Sequence, residues 1–417
     1  MVRVNDTRKR AFVPGALWRG IFVCPMHLPF INDLEDVALV LPVALRVNAE
    51  GRFSGRGVTI AVLDSGFYPH PDLTEPVNRI LYHVDARFDP PRAGVRLGPP
   101  RALSWHGTMV AGVCAGSGLR SMYRYAGLAS KAHLVLVTTG KPRSHHITED
   151  DIARALRWVV QHAQRFNIRV VNISVGGDIP SDGRLTPLDA LVEEAVAAGL
   201  VVVCAIGNEG APKVIPPASA PSAITVGGVD DQNSLDRARW RMYRSNYGTG
   251  ALGVAKPEVI APAAWVAAPM IPDTPTHRAA QLWWHLEHAS ERVLPDVLRT
   301  RLARQLLTQE QRRLPAHQLR RLARQRINEQ KFIHPHYQHV DGTSFAAAIV
   351  SSVVAQMLEA NPSLTPSEVK RLLMQTARPL PNVPREQQGA GVIDAGAAVA
   401  AALAARLPAQ PSPVKQP

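Results

Sequence analysis

The sequence predicts an α/β fold with a mainly parallel central sheet covered by helices on both faces. Two observations predict it. Apolar, β-branched runs recur at 58–63, 133–138, 168–173, 200–206 and 223–229, and such continuous runs read as strands buried on both faces. Between them, 149–166 and 187–198 carry apolar residues at three- and four-residue spacing, the period of an amphipathic helix. Strand–helix–strand alternation brings parallel strands together through right-handed crossovers and lines their C-terminal ends along one edge.

The first run stops at Asp64-Ser65-Gly66, a turn that puts a carboxylate at a strand's end. Gly342-Thr343-Ser344 opens an Ala- and Val-rich stretch that predicts a buried helix. Thr365-Pro366-Ser367-Glu368 supplies an N-cap, a helix-start proline and a capping-box glutamate for a helix through Thr376. Segment 277–331 differs in composition, with 12 Lys or Arg against 5 acids. Leu294, Leu298, Leu302 and Leu306 repeat every fourth residue after Pro295, and Pro315 opens a second stretch carrying Leu319, Leu322 and Ile327. A basic helical hairpin inserted into the α/β domain is expected. The predicted organisation is an N-terminal extension 1–51, a domain 52–405 interrupted by 277–331, and a disordered tail 406–417 rich in Pro, Gln and Ser.

Of the 417 residues, 46% are hydrophobic and 19% charged, which excludes a disordered polyelectrolyte and a coiled coil. No apolar run reaches the roughly eighteen residues of a membrane span. Lys and Arg number 47 against 34 acids, a net +13, which admits nucleic acid, an anionic surface or an acidic partner. More than half of that excess lies in 277–331, so an acidic protein partner or substrate segment is expected there. Nucleic acid is the weaker alternative, because no recognised binding motif accompanies the charge. Cys24, Cys114 and Cys204 make neither a disulfide framework nor a CxxC pair. The N-terminal stretch is broken by Pro14, Arg19, Pro25 and His27, unlike a secretory signal. A cytoplasmic location is expected.

Three segments carry candidate chemistry: Asp64-Ser65-Gly66, His106-Gly107-Thr108, and Gly342-Thr343-Ser344. Singly each has a plain structural use, as turn, surface histidine or helix cap. Jointly they hold what nucleophilic serine chemistry needs. A hydroxyl must lose its proton to a neutral imidazole as it attacks, and a carboxylate must fix the imidazole's tautomer and stabilise its cation.

In the order Asp, His, Ser, with 58–66, 106–112, 205–210 and 342–346 all matching motif by motif, the sequence resembles the subtilisin-like serine proteases. The resemblance implies a subtilisin-like three-layer fold from about 52 to 405. It also implies a serine endopeptidase in which Asp64 orients His106, His106 is base and then acid, and Ser344 forms an acyl-enzyme. Asn208 matches the family's oxyanion-hole asparagine. Ser174, Val175, Gly176 and Gly177, with Ala205 and Gly207, match substrate-binding positions, the 172–177 segment being the family's peptide-pairing strand. The chain departs from the pattern at Ala348, where the family has proline, and at Met109, where it has a second histidine. No cofactor or metal ligand is implied. No Asp-rich loop marks a calcium site, although the family's backbone-carbonyl sites leave no trace in a sequence. The substrate implied is protein or peptide. The rival reading is a catalytically silent subtilase-like module that holds a partner through its groove and basic insert.

Overall fold

The computed structural model describes residues 40–406, except 102, 143 and 145. Cys24, most of the expected extension and nearly all of the expected tail lie outside those residues.

Seven parallel strands form the central sheet: β1 Thr59–Asp64, β2 Ile80–Asp85, β3 His133–Thr138, β4 Ile168–Ile173, β5 Val201–Ala205, β6 Ile224–Asp230 and β7 Val259–Pro262. Their order is β7-β6-β5-β4-β1-β3-β2, with short antiparallel additions at Arg92–Ala93 beside β2 and Arg241–Met242 beside β6. Successive residues of β1 serve opposite faces. Ile60 and Val62 join one core, while Ala61 and Leu63 join the other. Both cores are covered, which is why the run has no polar alternation. The helices Glu149–Phe166 and Pro187–Ala197 cover one face, and Ser104–Ala115 and Thr343–Ala360 the other.

Two strands lack a clear sequence signal. β2 lies near the sheet's margin and is only half-buried over Ile80–His83, so its residues mix polar and apolar. β7 has only four residues, ending in proline. Thr343–Ala360 has a mean hydropathy of 1.4 over 18 residues and is the one helix, among the described residues, long and apolar enough to cross a bilayer. Here its residues are almost all buried in the body, which accounts for a composition apolar all round.

The basic segment is more divided than a hairpin. A helix at Pro275–His288 packs against Ala316–Glu329. The leucine repeat between them is split into Leu294–Arg299 and Arg301–Leu306. Thr300 makes the break, with extended backbone and an Oγ1 that accepts from the Ala303 N–H at 3.2 Å, an N-cap that starts a new helix. At its base, Val266–Pro269 pairs antiparallel with Tyr337–Val340, which also pairs with Phe332–His334. The segment's two ends therefore lie side by side, one turn of chain before Ser344.

Candidate active site

Strand order runs outward in both directions from β1, and ligand crevices of open parallel sheets form at such a reversal, beyond the strands' C-terminal ends. Asp64 is the last residue of β1 and is fully buried. The histidine helix, Ser104–Ala115, starts against it and puts His106 in its first turn. Gly107 permits this approach: a Cβ there would stand 2.4 Å from the Gly66 carbonyl oxygen and 2.8 Å from the Asp64 Cβ. The glycine after the histidine is thus demanded by packing. His106 Nδ1 lies 2.9 and 3.0 Å from the two Asp64 oxygens, and the Ser65 N–H donates to Asp64 Oδ1 at 2.7 Å. Burial opposes the imidazolium, but the Asp64 charge and its hydrogen bond outweigh burial and hold the His106 pKa above its ordinary 6.5.

The serine helix, Thr343–Ala360, begins after Gly342, whose φ of +145° favours glycine. Ser344, at its second position, is 8% exposed. Its Oγ donates to the Ser174 carbonyl at 3.2 Å, and the Ser174 Oγ donates to the Ser344 carbonyl at 3.0 Å. Asn172 Nδ2 donates to the Ser174 Oγ at 2.9 Å and Asn172 Oδ1 accepts from Ser351 Oγ at 2.9 Å. This buried chain ties β4 to the serine helix. Asn172 is the polar residue in the otherwise apolar Val-Val-Asn-Ile, a signal that marks a buried residue with partners to satisfy.

Asn208 follows β5. Its Oδ1 accepts from the Thr343 N–H at 2.8 Å, and the Gly207 N–H donates to the Thr343 Oγ1 at 3.2 Å. With its oxygen occupied, the side-chain NH₂ is left to donate elsewhere. Asn246 braces the same loop by accepting from the Glu209 and Ala211 N–H groups at 3.0 and 3.3 Å. His106, Asn208 and Ser344 line one cleft of about 420 Å³, together with Trp105, Tyr243, Arg244 and Phe345. Asn246 lies in Ser245-Asn246-Tyr247-Gly248, a segment that resembles the family, whereas Trp105 and Arg244 have no pattern in the sequence that singles them out.

Over residues 55–391 the chain matches the Subtilase family. It belongs to that family. It is 28% identical over 375 residues to Serine protease AprX of Bacillus subtilis (strain 168), covering 88% of this chain and 71% of that one. It is 33% identical over 207 residues to Subtilisin Savinase of Lederbergia lenta, covering 49% and 65%. The solved structure of Sphericase matches with a TM-score of 0.56 at 20% identity, over 82% of this chain and 90% of that one, a likeness of fold. As a subtilase with relatives named serine proteases, the chain falls in the class of serine-type endopeptidases.

Two departures from the subtilase pattern have structural answers. Ala348 is fully buried in a helix that continues unbroken to Ala360. Met109 is buried in the core, with its sulfur 3.9 Å from Gln338 Nε2. The expected peptide-pairing segment is also only partly strand. β4 ends at Ile173, after which Ser174 is buried, Val175 half-buried, Gly176 exposed and Gly177 half-buried. The Gly177 N–H donates to the Pro216 carbonyl at 3.0 Å. Ala205 ends β5 and Gly207 precedes Asn208, both half-buried.

Proposed function

We propose that the chain hydrolyses peptide bonds through Asp64, His106 and Ser344, with Asn208 stabilising the oxyanion. The observation that carries this reading is the His106 imidazole held against both Asp64 oxygens in a cleft that also contains Ser344 and Asn208. The Ser344 Oγ exchanges its bond to the Ser174 carbonyl for one to His106 Nε2, a rotation about χ1. It then attacks the scissile carbonyl carbon as Nε2 takes its proton. Asp64 supports the imidazolium. The carbonyl oxygen, now negative, is met by the Asn208 side-chain NH₂ and the Ser344 N–H at the helix N-terminus. On collapse the C–N bond breaks, and His106 returns the proton to the leaving amine. Water deprotonated by His106 then hydrolyses the Ser344 ester. The acyl part of the substrate lies along Ser174–Gly177 and forms backbone hydrogen bonds with that segment.

A fluorophosphonate probe tests the reading. Wild type is expected to label and to cleave a denatured protein, and Ser344→Ala to do neither. Absence of labelling in folded wild type would overturn it in favour of a silent module that only holds a partner.

We also infer that the 277–331 segment receives an acidic partner. Its free charge is smaller than its composition suggests, because Arg299, Arg324, Arg326 and Lys331 are paired with Asp296, Glu287, Glu329 and Asp341. Arg278, Arg292, Arg301, Arg313 and Arg321 are exposed and carry the charge complementarity. Replacing these five by glutamine is expected to abolish retention of an acidic peptide while activity on a short neutral peptide persists. Unchanged retention would sink it.

A further inference from the structure

The cleft that holds His106 and Ser344 has a second wall built from outside the catalytic motifs. It includes Tyr243 and Arg244, Lys331 at the end of the basic segment, and His339 and Asp341 from the chain leading into the serine helix. Residues 174–177 are not part of its lining. If the acyl part of a peptide runs along 174–177, as proposed above, this cleft faces the other product, the amine that His106 protonates.

Its charges are unequal in availability. Asp341 is fully engaged: Oδ1 accepts from the Trp265 N–H at 3.0 Å, and Oδ2 takes the Lys331 ammonium. That pair is neutral. His339 is buried and stacked on Trp265, with ring centroids 4.5 Å apart, and burial drives its pKa down to about 4, so it is neutral too. Its Nδ1 is buried and has no hydrogen-bond partner within the described protein. Arg244 is exposed on the cleft wall and, among the described residues, has no acidic or hydrogen-bonding partner. The net charge offered to a leaving peptide is therefore that of one planar guanidinium, whose fork fits a carboxylate with two parallel hydrogen bonds.

We propose that this cleft selects an acidic side chain in the first two residues after the scissile bond, with Arg244 as the specificity-determining cation. The inference rests on the serine endopeptidase reading for its direction along the substrate. Arg244 is a rim charge in water, so the preference is moderate, about five-fold, and is screened by salt.

The test uses the full chain and quenched peptides identical except for Asp, Asn or Lys at the first or second position after the cleaved bond. Wild type is expected to show kcat/KM about five-fold higher for Asp than for Lys at one of these positions, shrinking towards equality in 1 M salt. Arg244→Gln should equalise the pair and Arg244→Glu should invert it. Lys331→Met, which releases the Asp341 carboxylate to face the cleft, should lower the Asp preference as well. Because each readout is a ratio of two substrates, a general loss of activity cancels. A ratio within about 1.5-fold of unity in wild type, or one that survives Arg244→Glu, overturns the proposal. Binding of the same peptides to Ser344→Ala, read by Trp105 fluorescence, decides the point independently of turnover. The same charge preference in binding supports it even if the probe fails to label, and no preference there defeats it.

Discussion

In the proposed reaction the Ser344 hydroxyl, which bulk water cannot deprotonate near neutral pH, depends on the neutral form of His106. Because the Asp64 charge holds that imidazole's pKa above 6.5, the protonated, inactive form persists to higher pH than for a free histidine. The acidic limb of kcat/KM is expected to have its midpoint above 6.5, measured with an uncharged substrate. Asp64→Asn should move the limb down while lowering kcat by about 10⁴-fold, a loss of the size found in subtilisin. Asn208→Ala should cost about 10²- to 10³-fold in kcat with little change in KM, again the range subtilisin shows for its oxyanion-hole asparagine. A KM rise with kcat intact would instead make Asn208 a ground-state binding residue. These candidates stood out in the sequence because each proposed role demands one residue type beside a glycine or a small residue. Arg244 and Trp105 were not, since nothing in their neighbours distinguishes a charge or ring at a cleft from one at any surface.

At the scale of elements, the hairpin Phe332–His334 and Tyr337–Val340 carries histidines packed near the helix Pro275–His288. His277 Nε2 lies 2.8 Å from His336 Nδ1, and the His334 and His336 rings are 5.7 Å apart. Burial, then the charges of neighbouring histidines and of Arg120 and Arg124, lowers His334 and His336 to about 4. Their folded pKa values lie below the unfolded value of about 6.5, so the unfolded chain binds protons first as pH falls. The stability these residues contribute is complete above about 6.5 and is lost as pH drops towards 4. Thermal midpoints should fall across that window, and the fall should be shallower in a His334→Asn, His336→Asn double variant. A parallel fall in both proteins would assign the acid sensitivity to other groups. The sequence anticipated helices in this region but not the break at Thr300, because a fourfold leucine repeat continues across a residue whose side chain can equally cap a new helix.

Across the whole molecule, residues distant in the chain close the structure. Arg46, within the expected N-terminal extension, is buried against Asp231, with Nη2 to Oδ1 at 2.9 Å, and also donates to the carbonyls of Ala264 and Trp265 at 2.6 and 2.8 Å. Arg46→Met would leave the Asp231 carboxylate buried without its cation, a loss of about 3–5 kcal/mol. Chemical denaturation should register it, and a change under about 1 kcal/mol would show that water or another group replaces the guanidinium. By itself the sequence determined the α/β class, the central strands and the family, and it singled out the residues proposed here as catalytic, because local periodicity and short motifs are written in consecutive residues. Only the tertiary structure decided which polar groups share a cleft, that Lys331 is spent on Asp341 while Arg244 has no ion-pair partner among the described residues, and that Arg46 belongs to the core. Those facts depend on distances between residues that lie from ten to nearly two hundred positions apart, and no local pattern encodes them.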